Sequence, residues 1–334
     1  MKKLKVVQIG VAHDHADVTF DTIKRLPELF QIAGLVPFDN FAENFLKRDI
    51  YSNAKLLTLP EVLEMNDIDA VFVETEENSA TEVTKMFAQK GIHVHLDKPG
   101  SQDKKSFSEM IEIFKKTKAE LQMGYMYRFN PIVKETLSEV QNGVFGKVFS
   151  VEAQMSVRHS DEKREWLQRF TGGMMFFLGC HLIDLVMQIK GVPDEVISLN
   201  SSTGLGGVKT EDYGFAILKY KDGVSFVKTC AVEVNGFERR QLVVCGEKKT
   251  VEIKPIEKYY PNSSEMHTLC NQTEQKKGLN PWVDCSEVID SGAYDRYMPM
   301  LEEFYDIIVG KKKNPYSLEY EESLFKTVLR ACGM

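Results

Sequence analysis

No stretch of this chain reaches the roughly 18 consecutive apolar residues that a membrane-spanning helix needs, so none reads as a span. A basic excess is missing too: the formal charge is −7 and the pI near 5.7, which disfavours a nucleic-acid partner. Paired cysteine spacing is also absent. Cys180, Cys230, Cys245, Cys270, Cys285 and Cys332 are scattered, which fits reduced thiols in a cytoplasmic protein better than a disulfide frame or a zinc site. There is no internal repeat and no low-complexity tract. The opening Met1-Lys2-Lys3 precedes apolar residues, as a signal peptide would, but the run is short and passes into His13-Asp14-His15, so a first strand is the better reading. What remains is a 334-residue chain with 43% apolar and 27% charged residues, an ordinary globular balance at a length that favours two domains.

Residues 68–100 organise the rest. Ile68-Asp69-Ala70-Val71-Phe72-Val73-Glu74-Thr75 is apolar and β-branched, and residues 79–90 place Val83, Met86 and Phe87 at helical spacing. Gly91 stops that helix, and Ile92-His93-Val94-His95-Leu96 leads into Asp97-Lys98-Pro99-Gly100. Strand, helix and strand close a parallel pair through a right-handed crossover, a fragment of a doubly wound sheet. Ligands of such sheets sit beyond the carboxyl ends of the strands. Thr75 stands at one such end and Asp97-Lys98-Pro99 at the other. Lys98 is then a cation placed beside a ligand, and the alternative is a surface lysine in a turn.

The same alternation runs through residues 1–124: strands at 4–10, 32–36 and 121–127, helices at 15–26, 41–48, 60–65 and 103–117. It predicts one α/β doubly wound parallel sheet of Rossmann type. From 125 to 334 the pattern changes. Long alternating strands at 148–157, 196–201, 213–220, 225–233, 241–245 and 250–254 predict an α+β domain with a large, mostly antiparallel, open-faced sheet. A helix is expected at 130–140, another over 173–190, and two at the end (294–309, 318–332). Asp222-Gly223 marks a hairpin. Residues 255–292 are polar and read as a long irregular loop of the kind that serves as a lid or mobile segment.

The first turn, Gly10-Val11-Ala12-His13-Asp14-His15, is an incomplete dinucleotide loop. Such loops use three glycines, for the turn, for close approach of the pyrophosphate and for helix packing. Here only Gly10 is present; Ala12 is small enough to substitute, but His15 stands in the third place. Asp14 and Asp17 have the spacing of an N-cap and a capping box and would repel a pyrophosphate. After the second strand, Phe38-Asp39 offers an acid that could reach a ribose or cap the next helix. The pairs His13/His15 and His93/His95 could each face a metal, but no accompanying acid or cysteine spacing is visible, so no metal is expected. Around residue 180, Phe177, His181 and Asp184 recur at helical spacing. His181 reads either as a proton acceptor for an alcohol or as a half-buried histidine paired with Asp184.

Taken together, these residues resemble the Gfo/Idh/MocA family of oxidoreductases. The landmarks, in order, are Asp69-Ala70-Val71, Gly91-Ile92-His93-Val94 with Asp97-Lys98-Pro99, and Tyr127-Arg128-Phe129-Asn130-Pro131. They continue with Gly143, Gly146-Lys147-Val148, Gly172-Gly173, Gly179 with His181-Leu182-Ile183-Asp184, and Glu211-Asp212. The resemblance implies bound NAD or NADP, hydride transfer on a sugar or polyol, and a homodimer or homotetramer packed through the second-domain sheet. It makes Lys98 and His181 the catalytic pair, and Arg158 and His159, with Lys98 and His181, the substrate contacts. It places the cofactor along Gly10, Val11, Ala12, His13, Phe38, Asp39, Thr75, Glu76, Asn78, Asp97 and Lys98. Three departures stand out: the depleted glycine loop, the displaced acid after strand two, and Phe177 where relatives that act as dehydrogenases usually carry an aspartate. A carboxylate there would orient and charge the imidazole, whereas a phenyl ring desolvates it. These departures leave a rival, a sugar-binding or regulatory relative without hydride chemistry. A metal-dependent hydrolase using the histidine pairs is a third reading.

Overall fold

The computed structural model describes residues 2–38, 42–259, 265–275, 278, 280 and 282–334. Asp39, one of the expected cofactor contacts, lies outside them. The chain forms two compact units, residues 1–126 with 297–322, and residues 127–296 with 323–334. Residues 297–322 thus group with the first unit, whereas a sequence boundary at 124 assigns them to the second.

The first unit is the parallel sheet. Its elements in chain order are β1 (Leu4–Ile9), α1 (Ala16–Arg25), β2 (Phe30–Val36), α2 (Ala42–Leu46), α3 (Leu59–Glu64), β3 (Ala70–Val73), α4 (Glu77–Gln89), β4 (His93–Leu96), α5 (Lys104–Thr117) and β5 (Leu121–Met123). The strands order β2-β1-β3-β4-β5, all parallel. Leu35 also bridges Leu56 in parallel, with the Lys55 carbonyl accepting from Leu35 N–H at 2.8 Å. Counting that bridge as a rudimentary strand gives the order 3-2-1-4-5-6 of a dinucleotide-binding sheet. The third and fourth strands, AVFV and HVHL, are almost wholly buried, as strands covered on both faces must be. Helix α5 buries Phe107, Met110, Ile111 and Phe114 on one stripe and is capped by Asp103, whose side chain accepts from Ser106 N–H. Helix α3 starts with a full capping box between Thr58 and Glu61. Strand β5 ends at Met123, four residues short of the expected Tyr127, and a single helical turn, Met126–Phe129, follows.

The second unit contains α6 (Pro131–Gln141), β6 (Val148–Ser156), α7 (Asp161–Trp166), α8 (Cys180–Lys190), β7 (Glu195–Ser198), β8 (Tyr213–Tyr220), β9 (Gly223–Cys230), β10 (Gln241–Gly246) and β11 (Lys249–Ile253). Then come a short pair, β12 (Lys258–Tyr259) and β13 (Met266–His267), and the strands β14 (Leu269–Glu274) and β15 (Glu287–Asp290). Eight strands join in the order β15-β14-β11-β10-β6-β9-β8-β7, antiparallel except for the parallel β6–β9 pair. Alternation sorts the faces: Gly214, Ala216 and Leu218 of β8 are buried, while Phe215 and Ile217 between them are half-exposed. The hairpin between β8 and β9 turns at Lys221-Asp222, one residue earlier than its sequence signal, with Tyr220 opposite Gly223. Residues 255–292, expected as an irregular loop, supply β12 to β15, and two of these extend the sheet edge. Their polar sequences, LCNQTE and EVID, suit an edge that water covers and hide the strand pattern. The expected helix over 173–190 begins with a π-helical turn at Met175–Gly179 before α8.

The chain returns through α9 (Met298–Ile308) and α10 (Leu318–Ala331). Phe304 of α9 meets the rings of Phe72 and His95 at 5.6 and 5.8 Å, so this helix closes the core of the first unit. All six cysteines are free thiols, and no helix among the described residues is long and apolar enough to cross a membrane.

Candidate functional site

Register explains which residues meet at the mouth of the first sheet. Ile9 is level with Val73, Val73 with Leu96, and Leu96 with Met123. The residues one step beyond form a row: Gly10, Glu74, Asp97 and Gly124. Between β1 and β3 the chain order reverses, and this switch point is where such sheets bind ligands. Gly10 has φ +95°, and a Cβ on it would lie 2.5 Å from the Thr75 nitrogen. Glycine is therefore required here by the backbone of β3, before any ligand is considered.

His13 and His15 lie above this row. The His13 amide donates to the Glu74 carbonyl at 3.1 Å, which turns the imidazole inward. Its Nδ1 lies 3.2 Å from Asp97 Oδ2 and 3.5 Å from Glu74 Oε2, and its Nε2 is 3.6 Å from Glu77 Oε1. His15 Nδ1 donates to Asp97 Oδ2 at 2.9 Å, and the Tyr297 ring packs edge-on against His15. The other Asp97 oxygen accepts the Lys98 amide at 2.6 Å. Asp97, Lys98, His13, Glu74 and Glu77 are all buried, and His15 is half-buried.

The charges are mutually dependent. Burial opposes protonation of His13, but Asp97, with Glu74 and Glu77, outweighs it and holds its pKa well above the ordinary value. Burial, with the charges of Lys98 and His13, pushes His15 down to about 4 against the pull of Asp97. For Asp97, burial is overcome by the two imidazoles, which hold its carboxyl well below the usual range. Burial and then the Asp97 charge push Glu74 up to about 7. A charged His13 carries its Nδ1 proton toward Asp97, so the 3.3 Å approach of the His15 amide to that nitrogen is a contact and not a hydrogen bond.

The other expected cofactor contacts are distributed unevenly. Val11 and Thr75 are buried, Ala12 and Glu76 half-buried, and Phe38 and Asn78 exposed. The expected cap at α1 is not formed: the N-cap is His15, with no side-chain capping bond, and Asp17 is paired with Arg48. The Ala16 amide of the first turn is taken by the His13 carbonyl at 3.0 Å, and one of the two suspected repulsive charges, Asp17, has its own counter-ion. With Gly10 in its left-handed turn, these residues fit the diphosphate of a dinucleotide. His93 and His95 are explained within the fold, as His93 Nδ1 accepts the Glu120 amide and His95 Nδ1 meets Gln122 Oε1, both at 2.9 Å. The acid that the sequence did not supply for the other pair is Asp97, 82 residues from His15.

In the second unit, His181 is buried on α8 with its ring edge-on to Tyr127, centroids 4.9 Å apart. Asp184, three positions on along the same helix, is engaged by other residues. Its carboxylate takes a fork from Arg128, 2.9 Å from Nε and 2.8 Å from Nη2, and a third bond from Gln188. Phe177 lies in the π-helical turn, so its offset from His181 is not that of an α-helix. Its ring meets Trp166 and His159 edge-on at 5.7 and 6.1 Å, and Lys163 sits 5.0 Å from its centre. Arg158 is exposed where the strand ends, bridged to Val232.

A buried cluster beside His181 escaped sequence reasoning. Tyr127 Oη donates to Glu257 Oε2 at 2.7 Å; Arg240 Nη1 and Arg296 Nη2 donate to the phenol oxygen at 3.0 and 2.9 Å. Both guanidiniums also reach Glu257. Burial, then the Glu257 charge, raises the phenol against the two arginines. These residues come from separate segments, and no spacing links them; the one available signal was Tyr127 itself, a landmark of the resemblance.

Comparison with known proteins agrees with this geometry. Residues 5–125 match the oxidoreductase family with an NAD-binding Rossmann fold, and residues 134–252 match the Gfo/Idh/MocA C-terminal domain. The D-xylose 1-dehydrogenase (NADP+) 2 of Haloferax volcanii is 25% identical over 166 residues, 49% of this chain and 50% of that protein. The D-glucoside 3-dehydrogenase of Escherichia coli is 22% identical over 284 residues, 78% and 76% of the two. For the first three curated relatives, the match spans only 50 to 61% of their length. Among solved structures, a candidate NADPH-dependent oxidoreductase from Desulfitobacterium hafniense shares the fold at TM-score 0.82 and 19% identity, over 100% of this chain and 95% of that one. The chain thus belongs to the Gfo/Idh/MocA oxidoreductase family, whose nicotinamide dinucleotide its first unit is built to hold.

Proposed function

We propose that the protein transfers hydride between nicotinamide and a small polyhydroxylated substrate, a sugar, polyol or derivative. One observation carries this reading. Lys98 is buried just past the end of β4, next to the row member Asp97, whose carboxylate accepts its amide. A desolvated ammonium in that position polarises a substrate oxygen and lowers the barrier to moving its proton. Gly10, Val11, Ala12 and the start of α1 would hold the diphosphate, and Thr75, Glu76, Asp97 and Lys98 would border the nicotinamide side. Bound nicotinamide supplies the hydride acceptor or donor. His181 takes or returns the hydroxyl proton, with Tyr127 against its ring fixing the imidazole plane. Arg158 and His159 are the proposed further substrate contacts. The test is Lys98→Ala: turnover in a sugar and polyol screen should fall by roughly 10²–10⁴-fold, while NADH and NADPH affinity stays nearly unchanged. Unchanged turnover would remove Lys98 from the reaction.

A second reading, a ligand-binding relative without hydride transfer, is favoured by Phe177, which offers His181 no carboxylate and packs instead among Trp166, His159 and Lys163. It predicts sugar binding with no change in nicotinamide absorbance. We further propose a cytoplasmic location and a homodimer or homotetramer through the open face of the second sheet. Phe215 and Phe226, half-exposed on that face, stack at 5.5 Å. Light scattering giving a monomer would overturn the assembly.

A further inference from the structure

We propose that His13, His15, Asp97 and Glu74 form a site for one divalent ion of the zinc class at the mouth of the parallel sheet. The inference is independent of hydride transfer. The donor atoms are His13 Nδ1, His15 Nδ1, Asp97 Oδ2 and Glu74 Oε2. The first three lie within 4.8 Å of one another. A tetrahedral ion with bonds near 2.0–2.1 Å sets its ligands about 3.3 Å apart. The spacings found are 2.9 Å from His15 Nδ1 to Asp97 Oδ2, 3.2 Å from His13 Nδ1 to the same oxygen, and 3.5 Å from His13 Nδ1 to Glu74 Oε2. These three spacings bracket the required edge; His13, His15 and Asp97 form the mutually close set, and Glu74, 3.5 Å from His13 alone, completes it by turning its carboxylate inward.

Glu74 is the second, independent observation. It is fully buried, and neither carboxylate oxygen has a hydrogen-bond partner within range. The charge that faces this buried carboxylate is His13, 3.5 Å from Oε2, and no hydrogen-bond donor supplements it. The outer contacts have the form of a metal site as well. His13 presents its other nitrogen to Glu77 Oε1 at 3.6 Å, and that Nε2 is likewise without a hydrogen bond. Asp97 has its second oxygen tied to the Lys98 amide at 2.6 Å, which aims Oδ2 at the imidazoles. Ligating histidines and carboxylates are oriented by outer groups of this kind. Formal charge points the same way. Asp97, Glu74 and Glu77 against Lys98 and a protonated His13 leave one negative charge in surplus, and an ion that displaces the His13 proton raises it to two, which a dication cancels.

The test uses the whole protein, stripped with a chelator and titrated with Co²⁺ and then Zn²⁺ in the absence of nicotinamide and substrate. The expected result is one equivalent of Co²⁺ bound with the intense visible band of a tetrahedral ion, bleached by Zn²⁺. His15→Ala and Glu74→Gln, each checked for folding by circular dichroism, should lose that band. Glu77→Gln should weaken binding by roughly 10–100-fold. His267→Ala, at a separate histidine–aspartate contact of 3.3 Å, should leave binding unchanged. No saturable binding to folded wild-type protein would overturn the site and leave an ordinary buried histidine–aspartate pair. So would equal binding by both His15→Ala and Glu74→Gln. Hydride activity does not enter either outcome, so the site and the proposed reaction fail separately.

Discussion

The two units gather their polar residues by different means. In the first, register does it: parallel strands whose carboxyl ends are level bring Gly10, Glu74 and Asp97 to one row, each directly after a strand. In the second, Tyr127, Glu257, Arg240 and Arg296 converge from four places along the chain, and Arg128 reaches Asp184 across 56 positions. A parallel sheet thus exposes its ligand site to a reader of sequence, because strand ends are recognisable. An antiparallel sheet with long connections conceals its buried polar clusters. The difference also divides the labour proposed here. Groups of the first row bear on ligand, whereas Arg128 and Asp184 hold the second unit together.

Substitutions can sharpen or break that contrast. The largest effect is on chemistry, the loss of turnover expected for Lys98→Ala with folding preserved. Next comes Arg128→Met, which strands Asp184 as a buried charge. It should cost about 3–5 kcal/mol by urea denaturation, much of it recovered in the double variant with Asp184→Leu. Were Arg128→Met harmless to stability while abolishing activity, the division between the units would be wrong. Gly10→Ala forces a left-handed φ on a residue with a Cβ against β3, and should cost about 1–3 kcal/mol as well as weakening dinucleotide binding. Thr58→Ala removes one half of a capping box distant from the row. It should cost only about 1 kcal/mol, read as a shift in Tm, with cofactor affinity unchanged.

Much of the first unit could be read directly. Buried strands such as AVFV are continuous apolar runs, helices such as α5 show one apolar stripe, and Asp97-Lys98-Pro99 follows a strand without interruption. Legibility failed where tertiary structure overrides local pattern. Asp14 and Asp17 have capping spacing, yet the turn at Gly10 directs His13 inward and makes His15 the N-cap. Glu74 looked like the last residue of a strand, and only register reveals it beside His13. Strands β14 and β15 lack apolar alternation because they lie at the sheet edge. The π-helical turn before α8 leaves no mark in composition, so the offset between Phe177 and His181 could not be foreseen.

The most direct test is a parallel titration of wild-type protein and Lys98→Ala with NADH and NADPH. Energy transfer from Trp166, Trp282 and the tyrosines reports binding, and a substrate screen on both proteins follows. Saturable binding of one dinucleotide by both, with turnover in the wild type alone, is the predicted result. Absence of binding by folded wild-type protein, or equal turnover in the variant, would contradict the account.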